Sequence, residues 1–269
     1  MGPVPDAVPH PSRDPARTLG LLWGVDARRP PRGPRPSRTP DEIAAAAVAL
    51  ADDGGLAALS MRRLAQALGL GTMSLYTYVQ NKDDLVDLAV DRAFARTYPE
   101  GRAAGASWDE RLRAVGRENW TLLLRHPWLL DVDLARPVLG PGETRKYDIE
   151  LGAVDGVGLD DLAMDATVTL VVSTAASAAR RSREALRVRE ASSQTDDAWW
   201  SSNEQVLRAV GRKATYPRAG RVGRAVGEAH VEAWSGSAEL AFGLDRVVDG
   251  VAAMLERRAD AHTAAGRAG

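Results

Sequence analysis

SMRRLAQALGLGTMSLYTYVQNK, residues Ser60 to Lys82, decides the fold of this chain. Leu64, Ala65 and Leu68 fall on one face of a short helix that begins at Met61. Gly69 stands where that helix must end and the backbone must turn left-handed. A second short helix is expected from about Thr72 to Tyr78. Two helices joined by a tight turn form a helix-turn-helix, whose second helix enters the DNA major groove.

Both flanks supply the helices that such a module packs against. Upstream, Thr39-Pro40-Asp41-Glu42 reads as a capping box with proline at the first helical position. Ile43, Ala46, Ala47, Leu50 and Ala51 form the apolar stripe, and Gly54-Gly55 stops the helix. Downstream, Asn81 is the expected cap of a helix running to about Thr97, with Leu85, Leu88, Ala89, Ala93 and Phe94 inward. Asp83 and Asp84 lie in its first turn, where the helix dipole favours acids. Pro99-Glu100-Gly101 and Gly105 mark a linker, so a DNA-binding domain is expected over 38–98.

Residues 1–37 hold most of the 15 prolines and little apolar periodicity, and are expected to be extended or disordered. Leu19-Gly20-Leu21-Leu22-Trp23-Gly24 forms an apolar island, read as an anchor resting on the folded body. Arg28, Arg29, Arg32, Arg35 and Arg38 come next with no acid among them. They form either a solvated basic linker or an arm that tracks phosphates and enters a minor groove. The adjoining DNA-reading module makes Arg32, Arg35 and Arg38 candidate contacts.

From Ser107 onward every segment reads as helix, giving a second domain over 107–260 and an all-α chain. Ser107-Trp108-Asp109-Glu110 is a further capping box. Glu143–Val154, Asp160 to about Glu190, Trp199–Val210, Arg221–Trp234 and Ser237–Arg258 are the later helical segments. Leu240, Leu244, Val247 and Val251 have the spacing of a packed helix seam and are the candidate dimerisation residues. Trp120, Trp128, Met164, Thr167, Trp199 and Trp234 are candidate ligand contacts, each weighed against plain core packing. Seven tryptophans beside two phenylalanines suit stacking on a polycyclic ligand. His126, just before Pro127, reads as structural.

Lys plus Arg is 35 and Asp plus Glu is 36, so DNA affinity must come from local placement of charge. With no cysteine there is no thiolate ligand, nucleophile or disulfide, and four histidines offer little for a metal. HExxH, G-x-S-x-G and Walker A signatures are absent, so neither an enzyme nor a cofactor is expected. The apolar run Ala166–Ala179 is broken by hydroxyl residues and is shorter than the ~20 apolar residues of a spanning helix. No secretory signal is read, and a cytoplasmic chain is expected.

Ser60-Met61-Arg62-Arg63-Leu64-Ala65, Leu68-Gly69, Ser74-Leu75-Tyr76-Thr77-Tyr78-Val79 and Asn81-Lys82 together resemble the TetR family of bacterial transcriptional regulators. Arg125-His126-Pro127-Trp128-Leu129 and Gly140-Pro141-Gly142 resemble the branch with a tetracycline-repressor-like regulatory domain. The resemblance implies that Thr72, Met73 and Ser74 open the recognition helix, and that Arg62 reaches a base. It implies that Tyr76, Tyr78 and Lys82 hold phosphates, although Tyr78 stands where the family often has His. Leu64, Leu68 and Leu75 are core. It further implies a homodimer on a palindromic operator, released by a small-molecule effector that is largely apolar or polycyclic. An effector-independent regulator or activator, or a helical small-molecule-binding protein without DNA readout, are the alternatives.

Overall fold

Thr39 opens the first long helix as expected: its hydroxyl accepts Glu42 N–H at 3.2 Å, and Glu42 Oε2 accepts Thr39 N–H at 2.7 Å. This reciprocal pair satisfies donors that helix geometry leaves unpaired. The coordinates are a computed structural model of the 269-residue chain. They describe residues 15–25, 38–134, 136–192, 216–228 and 236–268, with isolated positions 198, 201–203, 206 and 209. Every regular element among the described residues is helical.

The described residues within Met1–Gly101 and Arg125–Ile149 form one compact unit, and those within Arg102–Leu124 and Glu150–Gly269 form another. In the first unit, α1 is Pro15–Leu22, α2 Pro40–Ala58, α3 Met61–Leu68, α4 Thr72–Leu75 and α5 Lys82–Ala95. A 3-10 turn, Pro127–Asp131, packs on α2. Gly54 and Gly55 have non-helical backbone angles, with Gly55 at φ 66°, and divide α2 into two helical pieces at the place where the sequence stops the helix. Ala44, Ala47 and Ala51 are buried and short, which lets α5 lie close against α2. Ile43, Leu59, Leu64, Leu75, Val79, Leu85 and Val90 are fully buried there. Each such side chain contributes about 1.5–3 kcal/mol by leaving water.

Two sequence expectations change in this unit. Residues 15–22 are helical rather than extended, and α1 packs on α5. Proline is tolerated at the start of a helix, so Pro15 opens α1 where proline density had argued for an extended chain. Second, Arg125–Ile149 packs within this compact unit, while the sequence reading assigns it to the domain over 107–260. Asp52 is the reason near Trp128: its Oδ1 accepts Trp128 Nε1–H at 2.8 Å and lies 2.7 Å from His126 Nδ1. The opening turn of the helix that starts at Pro141 is held by Asp91, whose Oδ1 accepts Glu143 N–H at 2.9 Å. A methyl group on Gly142 would collide with the Asp91 carbonyl oxygen, so only glycine allows this approach.

The second unit is built on α6 (Trp108–Arg125), the end of α7 (Pro141–Leu151), α8 (Asp161–Ser192) and α10 (Gly236–Ala268). An exposed helix, α9 (Pro217–Glu228), precedes α10. Leu112, Val115, Val154, Val168, Val171, Ala175, Leu240, Leu244, Val248 and Val251 form its core. α8 and α10 pack along each other, and Arg181 is ion-paired with Glu239 between them. By length and composition α8 is apolar enough to cross a membrane, which its central run alone did not indicate. One face of it is core, and its other face leaves Leu162 and Leu170 exposed.

Candidate nucleic-acid interface

Three local signals shape the surface of the helix-turn-helix. Ser60 Oγ accepts Arg63 N–H at 3.3 Å and starts α3. Gly69, at φ 67°, ends it, while Leu70 N–H reaches Ala65 O at 2.8 Å. Asn81 Oδ1 accepts Asp84 N–H at 2.8 Å and starts α5. Between them α4 spans Thr72–Leu75 and is shorter than the helix to Tyr78 expected from sequence. Beyond Leu75 the chain continues as a turn, with Tyr78 N–H on Leu75 O at 2.9 Å. Leu75 and Val79 are fully buried and pin this segment to the core.

The pinning turns one set of side chains outward. Arg62, Thr72, Ser74, Tyr76 and Lys82 are exposed, and Met73 is 80% exposed. An apolar side chain held that far into water is free to pack on a thymine methyl. The Arg62 fork matches guanine O6 and N7, and Lys82 offers a point charge to phosphate. Thr77 is exposed, but its hydroxyl donates to Ser74 O at 2.7 Å.

Two candidates sit differently. Tyr78 is half-buried and its hydroxyl accepts Arg38 N–H at 3.3 Å, which leaves the hydroxyl proton for a phosphate. Arg38 is turned to the protein: one guanidinium nitrogen donates to Leu68 O at 2.8 Å and another lies 3.5 Å from Glu42. It therefore ties the end of α3 to the start of α2, a correction to its expected place in a DNA arm. Arg32 and Arg35 lie outside the described residues.

The ligand candidates divide in the same way. Trp128 is buried in the first unit against Asp52, so it is a structural residue of the DNA-reading unit. Trp120 and Met164 are half-buried against the core of the second unit. Thr167 is buried and its hydroxyl donates to Ala163 O at 2.7 Å. Trp120 Nε1 is buried and has no hydrogen-bond partner among the described residues. Trp199 and Trp234 lie outside the described residues. Missed from the sequence was Asn119, which donates to Val115 O at 2.9 Å and to the buried Glu150 at 2.6 Å. Its only signal was a polar residue interrupting the stripe of Leu112, Val115 and Leu122.

The candidate dimerisation residues also face inward. Leu240, Leu244 and Val251 are buried within the subunit and Val247 packs on the same cluster, so this seam joins α10 to its own chain. Helical spacing identifies an apolar face without identifying what covers it.

A helix-turn-helix with outward polar, basic and apolar side chains, in a chain with a second all-helical unit, defines a DNA-binding regulator of the two-unit helical class. The sequence pattern described as "Bacterial regulatory proteins, tetR family" matches residues 43–89, and "Tetracyclin repressor-like, C-terminal domain" matches 101–255. The chain belongs to the TetR family of transcriptional regulators. It is 35% identical over 247 residues to the HTH-type transcriptional repressor DrrR1 of Streptomyces coeruleorubidus, covering 92% of this chain and 89% of that one. The fold is shared with apo ActR from Streptomyces coelicolor at 23% identity and TM-score 0.64, over 84% of this chain and 100% of that one. ActR in complex with actinorhodin matches at 24% identity and TM-score 0.62, over 81% of this chain and 98% of that one.

Proposed function

We propose that this protein is a cytoplasmic, homodimeric repressor that holds a palindromic operator and leaves it when a small molecule binds its second unit. The observation that carries the reading is the outward set Arg62, Thr72, Met73 and Ser74 on a turn pinned by Leu75 and Val79. Arg62, Thr72 and Met73 read base edges, while Tyr76, Tyr78 and Lys82 hold the backbone. Two copies joined by a two-fold axis present two such surfaces to successive major grooves.

The partner subunit covers the outer faces of α8 and α10. Leu162 is 83% exposed, Leu170 53% and Phe242 66%, and the two helices that carry them are the longest described. The effector lies among the helices of the second unit, where half-buried Trp120 and Met164 supply apolar surface. Trp120 Nε1–H, buried and unpaired among the described residues, gives that site a donor. A planar, largely apolar molecule bearing hydroxyl or carbonyl oxygens fits both features. For release, the ligand must bind the DNA-incompetent state more tightly than the DNA-bound one.

Selection of duplexes from a random pool by the purified protein tests the reading. Enrichment of a two-fold symmetric site is expected, then release on adding a planar, largely apolar molecule, with actinorhodin as the first probe, and quenching of tryptophan fluorescence. Recovery of unrelated sequences would reject specific readout. Unchanged fluorescence and undiminished DNA binding across a set of planar, oxygen-bearing apolar molecules would reject that effector class.

A further inference from the structure

Asp84 is 3% exposed, yet its carboxylate is bonded on both oxygens. Oδ1 accepts the Thr18 hydroxyl at 3.1 Å. Oδ2 accepts Gln80 N–H at 3.2 Å and lies 3.3 Å from Arg17 Nη1. Two of these three donors come from α1, more than sixty positions earlier in the chain. The third is the backbone of the turn that leads from the recognition segment into α5. A second pin holds the far end of α1, where Trp23 Nε1 donates to Leu139 O at 2.9 Å. α1 precedes residues 43–89, the stretch that carries the family's helix-turn-helix pattern.

We propose that α1 is a clasp on the DNA-reading module, and that Arg17 and Thr18 act through Asp84 as positioning residues for base readout. A buried carboxylate is retained only where its oxygens are bonded. Here the donors from α1 hold it in the rotamer that also accepts Gln80 N–H. Without them Asp84 turns toward water, and the Gln80 turn loses the bond that fixes it. The effect reaches readout because α4 has only four residues and takes its orientation from the turn after it. Leu75 and Val79 anchor one side, while the Asp84–Gln80 bond sets the other, directly between Tyr78 and Lys82. The clasp therefore governs the angle at which Thr72 and Met73 meet base edges, whereas phosphate attraction tolerates a looser turn.

The test uses full-length protein carrying Arg17→Ala and Thr18→Val together, and the duplex that the wild-type protein enriches from a random pool. It rests on the regulator reading: a wild-type protein that enriches no duplex rejects that reading and this inference with it. With an enriched duplex in hand, the double variant should bind it about tenfold or more weakly, the scale of one mismatched base pair. Affinity for a scrambled duplex should change little, so the specificity ratio falls. The variant should remain fully folded at the assay temperature, and exchange of the Gln80 amide should quicken. Arg17→Lys with Thr18→Ser, which keeps both donors, should restore the ratio. An unchanged ratio overturns the clasp, whether or not the melting temperature drops, because α1 would then be only structural support. If the double variant does not fold, Thr18→Val alone decides by the same ratio.

Discussion

Asp91 Oδ1 accepts the backbone N–H of Glu143 at 2.9 Å, so a buried carboxylate on α5 fixes the first turn of α7. Burial pushes the Asp91 carboxyl above the usual aspartate range, against the pull of the Glu143 and Gly142 N–H groups. Glu143 is also raised by burial, opposed by the N–H groups of Leu139 and Val138. In the window between the unfolded value, about 4, and the raised folded value, the folded state binds more protons than the unfolded one. Stability from this source is therefore full below the window and is lost as pH rises through it. Asp91→Asn keeps an acceptor for Glu143 N–H and removes the titration. The melting temperature of the wild type relative to Asp91→Asn should fall as pH rises from about 4, then level off. Parallel curves from pH 4 to 8 would count against a raised Asp91.

Trp128 and Asp52 provide a second test, on stability. Trp128→Phe keeps most of the packing and loses one donor to Asp52, at a cost of about 1–3 kcal/mol. Trp128→Ala also opens a cavity beside α2, at about 3–5 kcal/mol. Chemical denaturation combined with hydrogen exchange read at helix-turn-helix amides should place both losses in the DNA-reading unit. Loss of effector affinity with unaltered stability would restore Trp128 as a ligand contact.

Base readout and phosphate contact separate by salt and sequence dependence. Arg62→Ala or Thr72→Ala should cost about 1–3 kcal/mol of discrimination at one position in each half-site. Lys82→Ala should weaken all duplexes alike and flatten the salt slope by about 1. Titrations on selected and scrambled duplexes at several salt concentrations measure both effects. Equal loss on the two duplexes for Arg62→Ala would make it a phosphate contact.

The outer and inner faces of the α8 and α10 pair should respond differently to an introduced charge. Phe242→Asp and Leu170→Asp, on exposed positions, should leave the subunit folded and shift it to monomer in sedimentation. Val251→Asp places an unpaired carboxylate in the second unit's own core and should lower its melting temperature. A folded, dimeric Phe242→Asp protein would move the interface elsewhere.

The helix-turn-helix is legible in the sequence because its signals are local. Ser60, Gly69 and Asn81 each act within one helical turn, and all three caps are present. Leu64 and Leu68 likewise are assigned to the core by spacing alone. Pairings across long separations are not legible in this way. Thr18 looks like part of a proline-rich tail because nothing nearby in sequence announces Asp84. Arg38 looks like part of a basic run because Leu68 O, its acceptor, is thirty positions away. The stripe of Leu240, Leu244 and Val251 is plainly apolar, but its spacing does not name its partner: a period fixes a face, and α8 of the same chain covers it.

The Asp52–Trp128 bond also bears on how the protein is made. A ribosome delivers α1 to α5 first, then the first stretch of the other unit, and only afterwards the 3-10 turn that closes over α2. At ~5–20 residues per second, the residues between Gly101 and Ile149 take roughly 2–10 s to emerge. For that interval the nascent DNA reader exposes the slot that Trp128 will fill and leaves Asp52 and Asp91 without these distant donors. Translation speed through 102–149 thus sets how long an incomplete reader waits. The same arrangement means that a chimera cut at residue 101 would separate α2 from its own lid.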